Sequence, residues 1–512
     1  MAVVTWDGSS STAYSTAANW DTGSVPVDGD DVIIPDTSGG SINACNVDSN
    51  DSCNSLTVLA NGEIGSNAGA KLFILGEADG TGATTNGFAV NIDGTITDNG
   101  GTSLDLDIRT PAATTIDLYA QGGGKLRNVV FNHASCVATL GALLDITGDL
   151  TMSAGELNTN SGSNYAVTVA GHVSVTGTLT GNASAISAGS MIINSGGTYS
   201  ATTGTTTINS EEASHAFRCS GGGTFTDNNG TLLITTPAET RLKMNGTGNV
   251  HHLTVNHASC TLFMESDSST TIEGNLTITA GTVRPHTQGN SQRTLIVTGN
   301  TRIGPASGGP DQATLSCSDS PMSLGSGKTD DYGLTVVKGG TFVGGTGTHT
   351  IGSLAMADFD DAKCTLTSGV TTMNGEDSGD NYTINIGGSS TFAHGSGTVT
   401  ITRASDTRIR NAGAALALNN LIINHASAVI TLASNGLTCA GNLTVTAGEF
   451  GTGADKALTV TGGCDVTGTL TLNGSTVSVG GLRANSGAAI TQDADGTIEM
   501  VTGFTWGDSY GF

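Results

Sequence analysis

Positively charged and aromatic residues are scarce in this 512-residue chain, which has 18 Lys and Arg together and only 4% Phe, Trp and Tyr. Charged residues of both signs make up 12%, too few to give amphipathic helices a solvated face. No apolar run approaches the ~20 residues that a transmembrane helix needs. The deficits therefore argue against a helical bundle and against a helical membrane protein.

The shortage of basic residues leaves a formal net charge of −26. An anionic surface repels DNA and RNA, so we expect no nucleic-acid partner. The opening residues, MAVVTWDG, contain neither the basic nor the apolar region of a signal peptide. Either a signal has been removed, or the protein leaves its cell by another route, such as the lysis that releases virus particles.

The residues that are abundant are those of strands and tight turns. Glycine contributes 75 residues, and Thr, Val and Ile are strand formers, whereas Gly and Asn are turn formers. Apolar residues still make up 37% and alternate regularly, which argues against disorder. We expect an all-β protein.

Nine cysteines are spread along the chain. Most occupy apolar positions of predicted strands, which is typical of buried reduced thiols. Only Cys45 and Cys53 lie close together in the sequence, so a disulfide between these two remains open.

One motif occurs three times, as FNHASC at 131–136, VNHASC at 255–260 and INHASA at 423–428. Each copy is preceded by Gly-Thr and three short strand patterns, and is followed by GDLTMSAGEL, GNLTITAGTV or GNLTVTAGEF. The motifs begin 124 and 168 residues apart. The difference of 44 residues corresponds to two coils of ~20 residues, and whole-coil insertions are typical of a solenoid.

The strands within each unit alternate with a period of two. In ALTVTGGCDVTGTLTLNGSTVSV, residues 457–479, apolar side chains share one face and Thr and Ser share the other. Short alternating strands joined by Gly, Asn and Asp turns predict a right-handed parallel β-helix, or β-solenoid.

The Asn-His pairs of the repeat are candidates for either a ligand set or a structural corner. Coils stack at ~5 Å each, so histidines several coils apart cannot meet at one metal ion. We therefore interpret the pairs as corners, in which Asn takes the left-handed conformation of a tight turn. The corner residues are Asn132, His133, Asn256, His257, Asn424 and His425.

The two ends of a solenoid need covering, and all three tryptophans lie near the termini. We predict an N-terminal cap at residues 1–40 around Trp6 and Trp20. A solenoid at 41–500 follows, with degenerate repeats at about 95–210, 221–370 and 391–500. An aromatic tail at 501–512 carries Phe504, Trp506, Tyr510 and Phe512, which either fold back as a cap or dock into a partner.

The segment NWDTGSVPVDGDDVIIP, residues 19–35, resembles the opening of β-helical surface proteins: secreted bacterial adhesins, autotransporter-like passengers and virion proteins of marine bacteriophages. The strong match covers only residues 16–35, and the repeats beyond it are similar in style only. Because no signal peptide precedes it and no amphipathic barrel follows the repeats, the phage group fits better. The resemblance implies a trimeric virion protein.

Acidic clusters are the remaining candidates for chemistry. A glycosidase uses a pair of carboxylates, and the candidate groups here are Asp105/Asp107, Glu211/Glu212, Glu265/Asp267 and Asp358/Asp360/Asp361. Few aromatic residues are available near them to stack on sugar rings. Calcium prefers oxygen ligands on turns, and its candidate ligands are Asp28, Asp30, Asp31, Glu376, Asp377 and Asp380. No other cofactor is indicated.

Taken together, the sequence predicts a non-enzymatic structural or adhesive component of a phage virion, as a fibre, spike or capsid decoration. Its expected partners are other virion proteins or sister subunits, with a cell-surface glycan as candidate receptor. The alternatives are a bacterial cell-surface adhesin and a polysaccharide-degrading tailspike.

Overall fold

The computed structural model describes residues 2–97, 103–119, 124–267, 269–286, 291–305, 312–359, 361–377 and 379–501, and the backbone of 504–506. Strands make up 51% of the structure, and the described residues include one 3-10 helix, at Ala17–Asn19. None of the helical structure in these ranges is long and apolar enough to cross a membrane.

The first 25 strands are β1 Val3–Thr5, β2 Asp31–Ile34, β3 Cys45–Val47, β4 Asp51–Cys53, β5 Ser55–Val58, β6 Glu63–Ser66, β7 Leu72–Ile74, β8 Phe88–Ile92, β9 Thr95–Ile96, β10 Leu104–Ile108, β11 Ala113–Asp117, β12 Leu126–Phe131, β13 Val137–Leu140, β14 Leu144–Ile146, β15 Leu150–Met152, β16 Glu156–Asn158, β17 Val167–Val175, β18 Thr178–Thr180, β19 Ile186–Ile193, β20 Thr198–Ser200, β21 Thr205–Ile208, β22 His215–Cys219, β23 Thr224–Thr226, β24 Thr231–Ile234 and β25 Glu239–Met244.

The later strands are β26 His252–Met264, β27 Ser269–Ile272, β28 Leu276–Arg284, β29 Thr294–Val297, β30 Thr301–Ile303, β31 Ala313–Ser316, β32 Met322–Leu324, β33 Leu334–Val336, β34 Gly340–Val343, β35 His349–Ile351, β36 Leu354–Met356, β37 Lys363–Thr365, β38 Val370–Met373, β39 Tyr382–Ile386, β40 Thr391–Ala393, β41 Thr398–Ile401, β42 Thr407–Asn411, β43 Leu416–Leu418, β44 Asn420–Leu432, β45 Leu437–Cys439, β46 Leu443–Gly451, β47 Leu458–Val466, β48 Thr469–Thr471, β49 Thr476–Ala484, β50 Ala489–Thr491, β51 Thr497–Met500 and β52 Phe504–Trp506.

The predicted parallel β-solenoid is confirmed, with about 19 turns of stacked parallel strands. The chain forms two compact units, Met1–Thr236 with Thr240–Asn249 and Pro237–Glu239 with Val250–Phe512. Register partners in successive coils are separated by as few as 18 residues (Val173 and Met191) and by as many as 34 (Leu72 and Leu106). Coil length therefore varies because the turns differ in length.

In the first unit, one sheet contains ten strands in the order β1-β2-β5-β8-β11-β13-β16-β18-β20-β23. The strands of a second sheet also stack in parallel, coil upon coil. One column of register partners in this sheet points inward, so that each side chain packs on its partner in the preceding coil. Its members are all buried: Val129, Leu150, Val173, Met191, Phe217 and Leu242. Burial of each such side chain contributes ~1.5–3 kcal/mol, so the column is a main source of stability in this unit.

The second unit repeats this construction. Strands β28, β30, β33, β36 and β39 follow β26 in parallel, one coil after another. The buried column that they form contains Val255, Ile278, Ile303, Val336, Met356 and Ile386. The apolar positions of the alternating pattern therefore form the core, and the Thr and Ser positions between them face outward.

Two strands lie within the predicted N-terminal cap, residues 1–40. β1 pairs in parallel with β2, and β2 pairs with β5, so the parallel stack already includes these two strands. Val32 and Ile34 extend the buried apolar column, because their register partners in the next coil are Leu56 and Val58.

The aromatic cap is the segment between β1 and β2. Trp6 and Trp20 are buried and form an edge-to-face pair with ring centroids 5.0 Å apart, and Tyr14 packs on Trp20 at 4.7 Å. The Trp6 indole N–H donates to the Asn43 carbonyl and the Trp20 indole N–H to the Tyr14 carbonyl. Both tryptophans are thus interior residues of this unit.

At the C-terminal end, the backbone of Phe504–Trp506 pairs in parallel with β49. The predicted tail at 501–512 therefore begins with one more strand of the solenoid. The side chains of Phe504 and Trp506, together with Tyr510 and Phe512, lie outside the described residues.

Candidate functional site

The three repeat histidines occupy equivalent positions, a turn after β12 for His133 and register irregularities within β26 and β44 for His257 and His425, but they are not brought together. In each copy the imidazole Nδ1 accepts a hydrogen bond from the backbone N–H of the serine two residues later, from Ser135 to His133 at 3.2 Å, from Ser259 to His257 at 3.2 Å and from Ser427 to His425 at 3.3 Å. No cluster of three ligand atoms among the described residues includes any of them. Their chemistry here is that of a turn-stabilising acceptor.

The prediction that the asparagines adopt a left-handed conformation is wrong, since Asn132, Asn256 and Asn424 do not have positive φ angles. The left-handed residue is a glycine one coil later, Gly155, Gly281 or Gly448, with φ of 75°, 91° and 80°. A Cβ on these glycines would lie 2.2–2.6 Å from the carbonyl oxygen of the repeat histidine. Only glycine permits this approach, and the Ala-Gly pair after each motif is its sequence signal.

The best candidate catalytic pair, Asp105 and Asp107, is engaged in ion pairs. Both carboxylates are buried. Arg127 Nε donates to Asp105 at 2.9 Å, and Arg109 Nε and Nη2 donate to Asp107 at 3.0 and 2.9 Å. Both carboxylates are therefore already occupied as hydrogen-bond acceptors of guanidinium groups on the outer face of β10.

The other acidic pairs lie at different places on the solenoid. Glu211 and Glu212 precede β22, and Glu265 and Asp267 follow β26. Asp358 and Asp361 border a cavity of about 390 Å³ with Lys338 and Phe359, whereas Asp360 lies outside the described residues. Neither these carboxylates nor Asp105 and Asp107 belong to a cluster of three ligand atoms within the described ranges.

The first group of calcium candidates is dispersed among separate hydrogen bonds. Ser52 donates to Asp28, the Val27 N–H donates to Asp30, and Asn54 and Ser55 donate to the buried Asp31 at 2.7 and 2.6 Å. Over the residues that the structure describes, these three carboxylates do not converge on one point within 4.8 Å.

The second group is similar. Glu376 is buried in an ion pair with Arg403, while Asp377 accepts the backbone N–H groups of Asp380 and Tyr382. These carboxylates do not form a three-ligand cluster in the described part of the chain either. The bonds organise the turn between β38 and β39.

A regular hydrogen-bond chain, here called the corner ladder, runs along one corner of the coils. In the second unit His252 Nδ1 accepts the Asn275 N–H, and Asn275 Oδ1 accepts the Asn300 N–H, both at 2.9 Å. The same pattern recurs from Asn420 to Asn442 and from Asn442 to Gly463 at 2.9 and 2.8 Å. Each member therefore satisfies a backbone donor of the following coil.

The corner ladder stops at Asn300. The residue in the equivalent position of the next coil is Gly333, whose N–H is directed to Ser353 Oγ at 3.4 Å. As a result, Asn300 Oδ1 is buried and has no hydrogen-bond partner among the described residues. A buried acceptor of this kind costs ~1–3 kcal/mol unless a water or a ligand satisfies it.

A groove of about 460 Å³ lies beside this break. Its wall is a row of register partners on the outer face of successive coils, Thr277, Arg302, Thr335, Ala355 and Asn385. Ala355 has the smallest side chain of the row and lies between Thr335 and Asn385, where it forms the floor of the groove. The Tyr332 groove is defined by Asn300, Arg302, Asp331, Tyr332, Ala355 and Asn385.

The loop between β32 and β33 supplies Asp331 and Tyr332. Asn385 Nδ2 donates to the Tyr332 hydroxyl at 2.9 Å, and Arg410 Nη1 in turn donates to Asn385 Oδ1 at 3.3 Å. Burial raises the pKa of Tyr332 to about 12. Asn300 Nδ2 donates to Asp331, which fixes the opposite side of the groove.

None of the groove residues was predicted as a site from the sequence. The one feature of the sequence that could have indicated the groove is the long connection at 325–333. It joins two strands of three residues each, which resemble the neighbouring strands. The groove itself depends on which residues stack in register, and the sequence pattern does not specify this.

No protein-family model, curated protein or solved structure matches this chain. Any function for the Tyr332 groove must therefore be inferred from its own donors, acceptors and shape.

Proposed function

We propose that this protein is a non-enzymatic structural and adhesive component of a bacteriophage virion, as a fibre, spike or capsid decoration. The observation that carries the proposal is the use of its reactive side chains. The repeat histidines accept backbone hydrogen bonds, and Asp105 and Asp107 are held by arginines. Side chains that elsewhere perform acid–base chemistry are engaged here in structural hydrogen bonds, locally at His133 and Asp107 and between neighbouring coils at Asp105.

The nine cysteines support a virion origin over a secreted one. All are free and buried, and reduced thiols suit a chain that folds in a reducing compartment. A phage protein folds in the host cytoplasm before lysis, whereas a secreted adhesin passes through an oxidising environment. Together with the resemblance of residues 19–35 to phage surface proteins, this favours the virion over the bacterial cell surface.

The proposal is tested by mass spectrometry of virions purified from the host that carries the gene. We expect peptides of this chain in intact particles, and labelling of the particle exterior by an antibody against the protein. Recovery only in the envelope fraction of uninfected cells would instead identify a bacterial adhesin.

Enzymatic activity is tested separately, by measuring reducing-sugar release from host polysaccharide. We expect none above background. Release that disappears in Asp105→Asn or Asp107→Asn would identify a polysaccharide-degrading spike. The trimer implied by the resemblance to phage fibres is tested by sedimentation equilibrium, in which a monomer mass of 51.0 kDa would contradict it.

A further inference from the structure

We infer that the Tyr332 groove binds a short saccharide of a cell-surface glycan, an inference that rests on the proposed adhesive function and gives it a site. A sugar hydroxyl both donates and accepts hydrogen bonds, as a serine hydroxyl does. A matching site must offer donors and acceptors side by side around a small cavity. The Tyr332 groove has this combination.

The donors are Arg302 and Tyr332. Among the described residues Arg302 makes one long hydrogen bond, to the Pro305 carbonyl at 3.4 Å, although a guanidinium has five N–H donors. The Tyr332 oxygen accepts from Asn385, so its own O–H can be directed towards a ligand. A phenol is protonated at physiological pH even at its ordinary pKa of ~10, so Tyr332 remains a donor there.

The acceptors lie on the other side. Asn300 Oδ1 is buried without a partner in the described structure because the corner ladder stops there. A ligand hydroxyl that donates to this oxygen would replace the missing backbone N–H of the next coil. The adjacent Asp331 carboxylate is exposed and is already oriented by Asn300.

The shape of the groove favours a sugar ring over other ligands. Its volume of about 460 Å³ is within the ~300–1,000 Å³ of small-molecule sites, and Ala355 leaves room on the floor for the C–H face of a pyranose. A peptide that adds a strand needs an unpaired sheet edge, but this wall consists of paired strands. Nucleic acid is disfavoured by the net charge of −26.

The test uses the full-length protein on an array of bacterial capsular and O-antigen polysaccharides. An oligosaccharide fragment of the strongest binder is then titrated calorimetrically. Ala355→Gln fills the floor of the groove, and Tyr332→Phe removes only the hydroxyl. Ala417→Gln is the matched control, because Ala417 is an exposed outward alanine on β43 outside the groove.

We expect Ala355→Gln to weaken binding by at least ~10-fold and Tyr332→Phe by ~2–10-fold, the effect of one lost hydrogen bond. Ala417→Gln should bind as the unchanged protein does. Thermal melts of all variants establish that they are folded. If Ala355→Gln fails to fold, Tyr332→Phe decides the question, because it alters one half-buried hydroxyl.

Two results would overturn the inference. Binding that persists unchanged in the groove variants would place the glycan site elsewhere and leave the adhesive function intact. An absence of binding to every polysaccharide on the array would refute a saccharide site. Virion mass spectrometry distinguishes both results from a failure of the proposed function, because it reports particle incorporation independently of glycan binding.

Discussion

Polar side chains in this protein frequently replace backbone groups as hydrogen-bond acceptors. The histidine of each Asn-His-Ala-Ser repeat accepts the N–H two residues later, and His394 does the same for Ser396 at 2.9 Å. This is the geometry in which Asn and Asp side chains stabilise turns. A His-x-Ser sequence at a solenoid turn can therefore be structural even when it resembles part of a catalytic set.

Replacing His425 tests this role. In His425→Asn the amide oxygen can accept the Ser427 N–H, so the free energy of unfolding should change by less than ~0.5 kcal/mol. His425→Leu cannot accept it and should lose about 0.5–1.5 kcal/mol. Urea denaturation measures both, and elemental analysis should find equal metal content. Loss of a bound transition metal in either variant would show that the histidine is a ligand.

His349 provides a pH-sensitive position in the core of the second unit. It is buried, its Nε2–H donates to the Gly344 carbonyl at 2.7 Å, and its Nδ1 has no partner among the described residues. Burial lowers the pKa of this imidazole. As the pH falls below the ordinary histidine pKa of ~6.5, this imidazole is therefore protonated more readily in the unfolded chain than in the folded chain.

Stability should accordingly fall as the pH decreases through ~6.5, by at most ~1.4 kcal/mol per pH unit for this group. In His349→Met, which places a methionine above its register partner Met322, this contribution should disappear. The pKa of His172 is also lowered by burial, but that residue contributes equally to both proteins. Equal pH slopes between pH 7 and 5.5 in urea denaturation would contradict the prediction.

At the scale of the coil, the corner ladder explains the recurring Gly-Asn and Gly-Asp pairs. A Cβ at Gly148, Gly299 or Gly462 would lie 2.3–2.4 Å from the ladder oxygen of the preceding coil. In the first unit the ladder runs from Asp105 through Asn128 and Asp149 to His172. The glycine thus provides space, and the polar residue after it provides the acceptor for the next coil.

Adjacent glycines allow a controlled test of this steric requirement. Gly462→Ala would place its Cβ 2.4 Å from Asn442 Oδ1, whereas the nearest atom to a Cβ at Gly463 is the same oxygen at 3.7 Å. We expect Gly462→Ala to destabilise by about 1–3 kcal/mol and Gly463→Ala to remain within ~0.5 kcal/mol of the unchanged protein. Similar losses in thermal or urea unfolding would exclude the ladder contact as the cause.

At the scale of the whole molecule, the cysteines behave as small apolar core residues. Burial raises the pKa of Cys136 to about 11 and those of Cys260, Cys439 and Cys464 to about 12, which disfavours the reactive thiolate. Cys45 and Cys53 are both free and buried. The candidate disulfide between them is therefore not formed in this structure.

Thiol titration tests this description. At pH 8 the native protein should react slowly or not at all with a disulfide reagent, since the thiols are both buried and protonated. After denaturation without reductant, all nine cysteines should react. A denatured count of seven would reveal one disulfide, with the Cys45–Cys53 peptide pair as the first to examine by mass spectrometry.

The amino-acid sequence alone determined the class of fold and the composition of the core. Alternation with a period of two fixes which side chains can face inward, and frequent Gly and Asn limit the strands to a few residues. Leu458, Val460, Cys464 and Val466 were assigned to one face from this pattern, and all are buried. The threefold motif likewise indicated equivalent positions in successive repeats, because repetition can be read directly from the sequence.

The tertiary structure decided which residues meet across coils. Partners are 18 to 34 residues apart, and each change in turn length changes what lies above a given side chain. It assigned the left-handed conformation to Gly448 and not to Asn424, and it placed arginines on Asp105 and Asp107. It also stopped the corner ladder at Asn300, where the backbone N–H of Gly333 in the next coil is directed to Ser353 Oγ, and it placed the loop at 325–333 beside the resulting groove. Such contacts depend on the stacking register, which is a property of the folded chain and not of any local segment.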